Sequence, residues 1–116
     1  MQFDQFDVVK VPFPFTELPI VKRRPALVIS RADEFKFNEI TPKVVLAMIT
    51  SSGHKPWPLD VAIQNLSKTG LSSSSLVRMK IFTIDSQLIL AKLGKLSAAD
   101  VKSVQKSLEL LLGLKK

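Results

Sequence analysis

A period of two, broken into short runs and switched only once, most constrains what this chain of 116 residues folds into. Val9, Val11 and Phe13 alternate with Val8, Lys10 and Pro12, as side chains do on the two faces of a strand. That strand runs into a turn at 14–19. Compact β-branched runs follow at 26–30 and, after the Thr41-Pro42 break, at 44–49. A fourth strand is expected at 59–63, after Pro56-Trp57-Pro58. Beyond Gly70 and the tetraserine 72–75, extended chain resumes at 76–80 and continues or pairs through 81–84. Short strands about a dozen residues apart, with turn residues between them, predict a mainly β fold, a small barrel or half-open barrel.

The switch comes at the end. Ser97 reads as a helix N-cap with Asp100 at the third position, and Val101, Val104, Leu108 and Leu111 recur at three- and four-residue steps on one face. Lys102, Lys106 and Glu109 point away from it; Gly113 supplies a stop, and Lys115 and Lys116 complement the helix C-terminus. This helix is expected to lay its apolar face on the barrel. A shorter helical piece fits 86–91, and 32–39, polar with two phenylalanines, favours no state. A chain of this length makes one domain, 1–116.

Seventeen basic against ten acidic side chains give a formal charge of +7 and a pI near 9.9. The surplus favours polyanionic partners: nucleic acid, an acidic peptide or an anionic surface. No long basic amphipathic helix with aromatic anchors supports a membrane surface. The apolar stretches at 44–49 and 81–90 are too short to span a bilayer. With no cysteine there is neither a disulfide framework nor a thiolate metal site, and a single histidine excludes a His-rich metal centre within one protomer. The first residues lack the layout of a signal peptide, so the cytoplasm is the expected location.

Chemistry concentrates in a few places. In Lys22-Arg23-Arg24-Pro25, proline disfavours the helical region for the residue before it, which pins Arg24 in extended chain at a strand entrance. A guanidinium aimed this way suits a phosphate or carboxylate; a solvated basic turn is the alternative. Thr50-Ser51-Ser52-Gly53 offers hydroxyls at a strand end, for phosphate oxygens or for an ordinary turn. His54 either transfers a proton or is simply solvated. Arg78 reaches a ligand or snorkels on an outer face, and Trp57 stacks on a base or fills the barrel mouth.

The ordered set Asp7-Val8-Val9-Lys10-Val11-Pro12-Phe13-Pro14-Phe15-Thr16, Lys22-Arg23-Arg24-Pro25-Ala26-Leu27-Val28-Ile29-Ser30, Ile49-Thr50-Ser51-Ser52, Thr69-Gly70-Leu71, Ser75-Leu76-Val77-Arg78 and Leu93-Gly94-Lys95-Leu96-Ser97 resembles the PemK/MazF family of toxins over nearly the whole chain. The resemblance implies an SH3-like barrel of the MazF/PemK/CcdB type with a C-terminal helix, working as a homodimer. It further implies the toxin of a type II toxin–antitoxin system, an endoribonuclease that cuts single-stranded RNA without metal or cofactor. Attack by the ribose 2′-OH would leave a 2′,3′-cyclic phosphate and a 5′-OH, and an antitoxin with an acidic flexible tail would silence it. Catalysis would fall to Arg24, Thr50 and Arg78, and RNA binding to Lys22, Arg23, Ser51, Ser52, His54, Trp57 and Lys80.

The chain departs from the family at Lys80, where some members carry an acid proposed as the base. It departs again at Phe6, usually glycine, and in the loop 17–22, which lacks glycine. Two other readings therefore stand beside the nuclease: a catalytically silent nucleic-acid-binding or gyrase-poisoning module of the same fold, and a basic structural subunit.

Overall fold

Period-two segments pair in the order their turns allow. In the computed structural model, which describes residues 3–13, 22–36 and 42–114, these are β1 (Asp7–Phe13), β2 (Lys22–Val28), β3 (Lys43–Ser51), β4 (Val61–Ala62), β5 (Ser75–Asp85) and β6 (Ala91–Lys95). They form one antiparallel sheet in the order β4-β5-β3-β2-β1-β6, followed by helix α1 (Ala98–Leu112). The sheet curls into a half-barrel, the mainly β architecture expected. The turn at 14–19, the loop up to Val21, and Lys115 and Lys116 lie outside the described residues.

Alternation gives the sheet two apolar faces. Val9, Val11, Ala26, Val28, Val44, Leu46, Met48 and Ile84 build one core with Phe3. Val8, Leu27, Ala47, Ile49, Val61, Ile63 and Val77 build the other, which α1 covers with Val104. Ser97 caps the helix by accepting the Asp100 N–H at 3.3 Å. The buried Asp100 carboxylate in turn accepts the backbone N–H groups of Gln64 and Asn65, both at 3.0 Å, and so ties the helix start to the segment after β4. Gly113 ends the helix in the left-handed region, at φ 70°.

Several boundaries differ from expectation. β2 begins at Lys22 rather than at 26, because 22–25 pair with β1. β4 keeps two residues of the expected 59–63: Leu59 turns left-handed at φ 66°, and Asp60 folds back to accept the Trp57 N–H at 2.8 Å. The helical piece expected at 86–91 is one 3-10 turn at Ser86–Leu88, after which the chain pairs with β1 as β6. Leu111 is exposed rather than packed, since α1 rests on β4 and β5 and its last turn runs past them. Phe6 takes φ 71° at the place where the family's glycine would be unstrained. Its ring packs against the helix-side core.

Candidate functional site

On the face opposite α1 the sheet opens at one end, and two irregularities make the opening. Pro25 has no N–H to extend the β2–β3 ladder, which stops at Ala26↔Met48. Two residues further along the same count Arg24 falls opposite Thr50, where the strands part. On the other side of β3 the pairing jumps from Ala47↔Ile81 to Ile49↔Val77, so two steps of β3 face four of β5. Such a bulge re-aims side chains, and here it lies at Arg78, Met79 and Lys80.

The opening is a cleft of about 230 Å³ lined by Phe13, Arg24, Met48, Ile49, Thr50, His54, Trp57, Arg78 and Lys80. A second cleft of about 260 Å³ lies across the Arg24–Thr50 ridge, lined also by Ser51, Ser72, Ser73 and Ser75. A larger cavity of about 500 Å³ near Phe3, Phe35 and Lys43 contains none of the expected residues. Among the described residues no three acidic or imidazole side chains converge as a metal site. No described helix is long and apolar enough to cross a membrane.

The two arginines of the cleft have opposite surroundings. Arg24 is half-buried, and its guanidinium makes no hydrogen bond or ion pair with any described residue. Arg78 is gripped: its Nε donates to Asp60 Oδ1 at 3.2 Å, and its Nη2 donates to Asp60 Oδ2 at 3.0 Å and to the Lys55 carbonyl at 2.8 Å. The Trp57 ring lies 4.9 Å from the same guanidinium. Burial pushes the Asp60 carboxyl up, but the hydrogen bonds from Arg78 and the Trp57 N–H outweigh it and hold Asp60 below the ordinary carboxylate range. Lys80 places its Nζ 4.8 Å from the Phe13 ring centre, which steers the ammonium toward the cleft.

The structure thus brings together Arg24, Thr50, Arg78, His54, Trp57 and Lys80, and sets Ser51 on the adjoining cleft. Lys22, Arg23 and Ser52 are exposed and line neither; Arg23, one step from Arg24, projects from the opposite strand face. Sequence reasoning missed Phe13 and Met48, although both share the alternation of Arg24's face. It also missed Asp60, whose partnership spans 18 residues and carries no local signal.

Residues 4–112 match the family model of the PemK-like, MazF-like toxins of type II toxin–antitoxin systems. No curated protein sequence matches the chain. Among solved structures, MazF from Deinococcus radiodurans is similar at 25% identity and TM-score 0.72, over 97% of this chain and 98% of that one. The MazE–MazF structure from the same organism is similar at 26% and 0.70, over 95% of each chain. An endoribonuclease from a mycobacterial species, in complex with its cognate antitoxin, aligns over 99% of both chains at 21% identity and TM-score 0.76.

Proposed function

The chain belongs to the PemK-like, MazF-like toxins of type II toxin–antitoxin systems, and from that premise we propose that its cationic cleft cleaves single-stranded RNA. The observation that carries this reading is the Arg24 guanidinium, free of described protein partners, beside the Thr50 hydroxyl on a ridge between two clefts. A phosphodiester on that ridge has one neighbouring nucleotide in each cleft.

In the proposed reaction the ribose 2′-oxygen attacks the adjacent phosphorus, the P–O5′ bond breaks, and a 2′,3′-cyclic phosphate and a 5′-OH result. Arg24 offers a preorganised fork of donors to the charge growing on the phosphorane oxygens. Thr50 donates its hydroxyl to a phosphate oxygen. His54, lining the same cleft, takes the 2′ proton, an exchange an imidazole performs from one ring nitrogen while donating from the other. The departing O5′ is protonated from solvent. No step requires a metal. Trp57, exposed over 43% of its surface, supplies a stacking plane for a base.

The natural inhibitor in this reading is an antitoxin whose acidic segment fills the same cleft, in keeping with the family and the charge of +7. A homodimer is the proposed working form, and the exposed Leu110, Leu111 and Leu112 of α1 offer an apolar surface for it. The test is purified protein with a long single-stranded RNA in EDTA, with fragment ends mapped. Discrete cuts bearing 5′-OH ends are expected. Intact RNA would remove the nuclease reading in favour of a binding module on the same fold.

A further inference from the structure

We infer that Asp60 is a positioning residue for the proposed reaction: it holds Arg78 as a fixed strut of the cleft wall and leaves the phosphate to Arg24. This rests on the nuclease reading given above, and its footing is geometric. Both carboxylate oxygens of Asp60 face Arg78, at 3.2 and 3.0 Å, and each of the two side chains is only 12% exposed. A guanidinium whose Nε–Nη2 edge is taken by a carboxylate cannot offer that edge to a phosphate. Only Nη1 bonds nothing among the described residues.

The same pair shapes the wall that carries His54 and Trp57. Asp60 Oδ2 accepts the Trp57 N–H, Arg78 Nη2 ties down the Lys55 carbonyl, and the indole lies against the guanidinium. Segment 54–60 thus meets Arg78 of β5 through the Lys55 carbonyl, the Trp57 ring and the Asp60 carboxylate, while the Trp57 N–H closes the segment on itself. Leu59, next to Asp60, is held at φ 66°, a conformation costly to a branched side chain, and such strain persists where the surroundings over-determine it. Electrostatically the pair is neutral, so Arg24 and Lys80 are the cations the cleft presents to RNA. Asp60 therefore limits ground-state attraction while fixing the groups that act on the reacting phosphate, a division that favours turnover over mere binding.

The decisive variant is Asp60→Asn, close in shape and still able to accept the Trp57 N–H. It frees one positive charge and loosens the strut. Cleavage is expected to slow about tenfold in kcat, as misplaced catalytic groups do. Binding to a short, uncleavable 2′-O-methyl oligonucleotide is expected to tighten, with a log–log salt slope steeper by about 0.7, the single-strand value for one added charge. The only tryptophan of the chain, Trp57, should become more open to acrylamide quenching. In an Arg78→Met background Asp60→Asn should leave kcat and quenching where Arg78→Met alone puts them, because those effects run through that partner.

A salt slope and quenching equal to wild type would overturn the inference. So would parallel losses of kcat, RNA affinity and melting temperature, the pattern of a purely structural ion pair. Should wild type itself leave RNA uncut, the nuclease reading fails, while slope and quenching still decide what Asp60 does.

Discussion

Arg24→Ala is expected to lower the single-turnover rate of RNA cleavage by about 10²–10³-fold, the loss typical of removing one preorganised donor to a developing oxyanion, about 3–4 kcal/mol. The effect falls on the chemical step, because Arg24 is half-buried and bonds no described residue that would collapse without it. Its backbone place is set by Pro25 and by pairing with Val11, neither of which needs the side chain. The variant therefore keeps its melting temperature within a few degrees, a surface-like change of about 0.5 kcal/mol or less. Arg24→Lys recovers little, since an ammonium on a flexible stem cannot present two parallel N–H bonds to a phosphate. Single-turnover rates beside thermal melts check both halves. A cleavage rate equal to wild type would move the reacting phosphate elsewhere in the cleft.

The largest effect on stability is expected at Gly94. A Cβ there would overlap the Lys68 carbonyl oxygen and sit 2.6 Å from the Thr69 carbonyl carbon. Both obstacles are backbone and cannot swing aside. The same Lys68 carbonyl accepts the Lys95 N–H at 2.8 Å, and buried Thr69 binds the Leu66 carbonyl through Oγ1 at 2.8 Å. The segment is held from both sides. Gly70 mirrors the arrangement, since a Cβ on it would meet the backbone of Leu93. Gly94→Ala forces β6 away from this turn, and overpacking of this kind costs about 3 kcal/mol. At about 4 °C per kcal/mol for a domain of this size, melting falls by about 12 °C. Thermal unfolding followed by circular dichroism measures it, and a shift under about 3 °C would mean the two segments separate freely.

These two residues also mark what was legible in the sequence. Arg24 stood out because proline acts on its neighbour, a local effect readable from two letters. The strands with clear alternation, β1, β3 and β5, were readable for the same reason, as was the helix through its cap and its Val101, Val104 and Leu108 spacing. β6 was not. Its five residues include a glycine and two lysines, and they are a strand only because β1, far back in the sequence, offers them an edge, Lys10 pairing with Ala91 and Asp7 with Lys95. The shrinkage of β4 followed from the left-handed turn at Leu59, which no pattern announces.

The site divides along the same line. Thr50 and Arg78 line one cleft with Arg24, but nothing in the sequence shows what Arg78 is bonded to. Whether Arg78 is free to clamp a phosphate depends on whether a carboxylate reaches it, and the departure at Lys80 does not point to Asp60. Asp60 arrives from a loop instead, after a proline-flanked tryptophan, through a contact made only when β4 and β5 are side by side. Lys22, Arg23 and Ser52 lie beside Arg24 and Thr50 in the sequence but line neither cleft. Strand alternation sends Arg23 to the other face, and exposure leaves the other two at the margin.

In the proposed reaction a ribose 2′-oxygen attacks a phosphate seated between Arg24 and Thr50. The most direct test uses an oligonucleotide spanning a mapped cut, in two forms differing by one atom: the nucleotide on the 5′ side of the cut carries ribose in one and 2′-deoxyribose in the other. Wild-type protein should cut the first to a 2′,3′-cyclic phosphate and a 5′-OH, and bind the second with similar affinity while leaving it whole. Cleavage of the deoxy form at a comparable rate would contradict the account, since the nucleophile would then come from elsewhere.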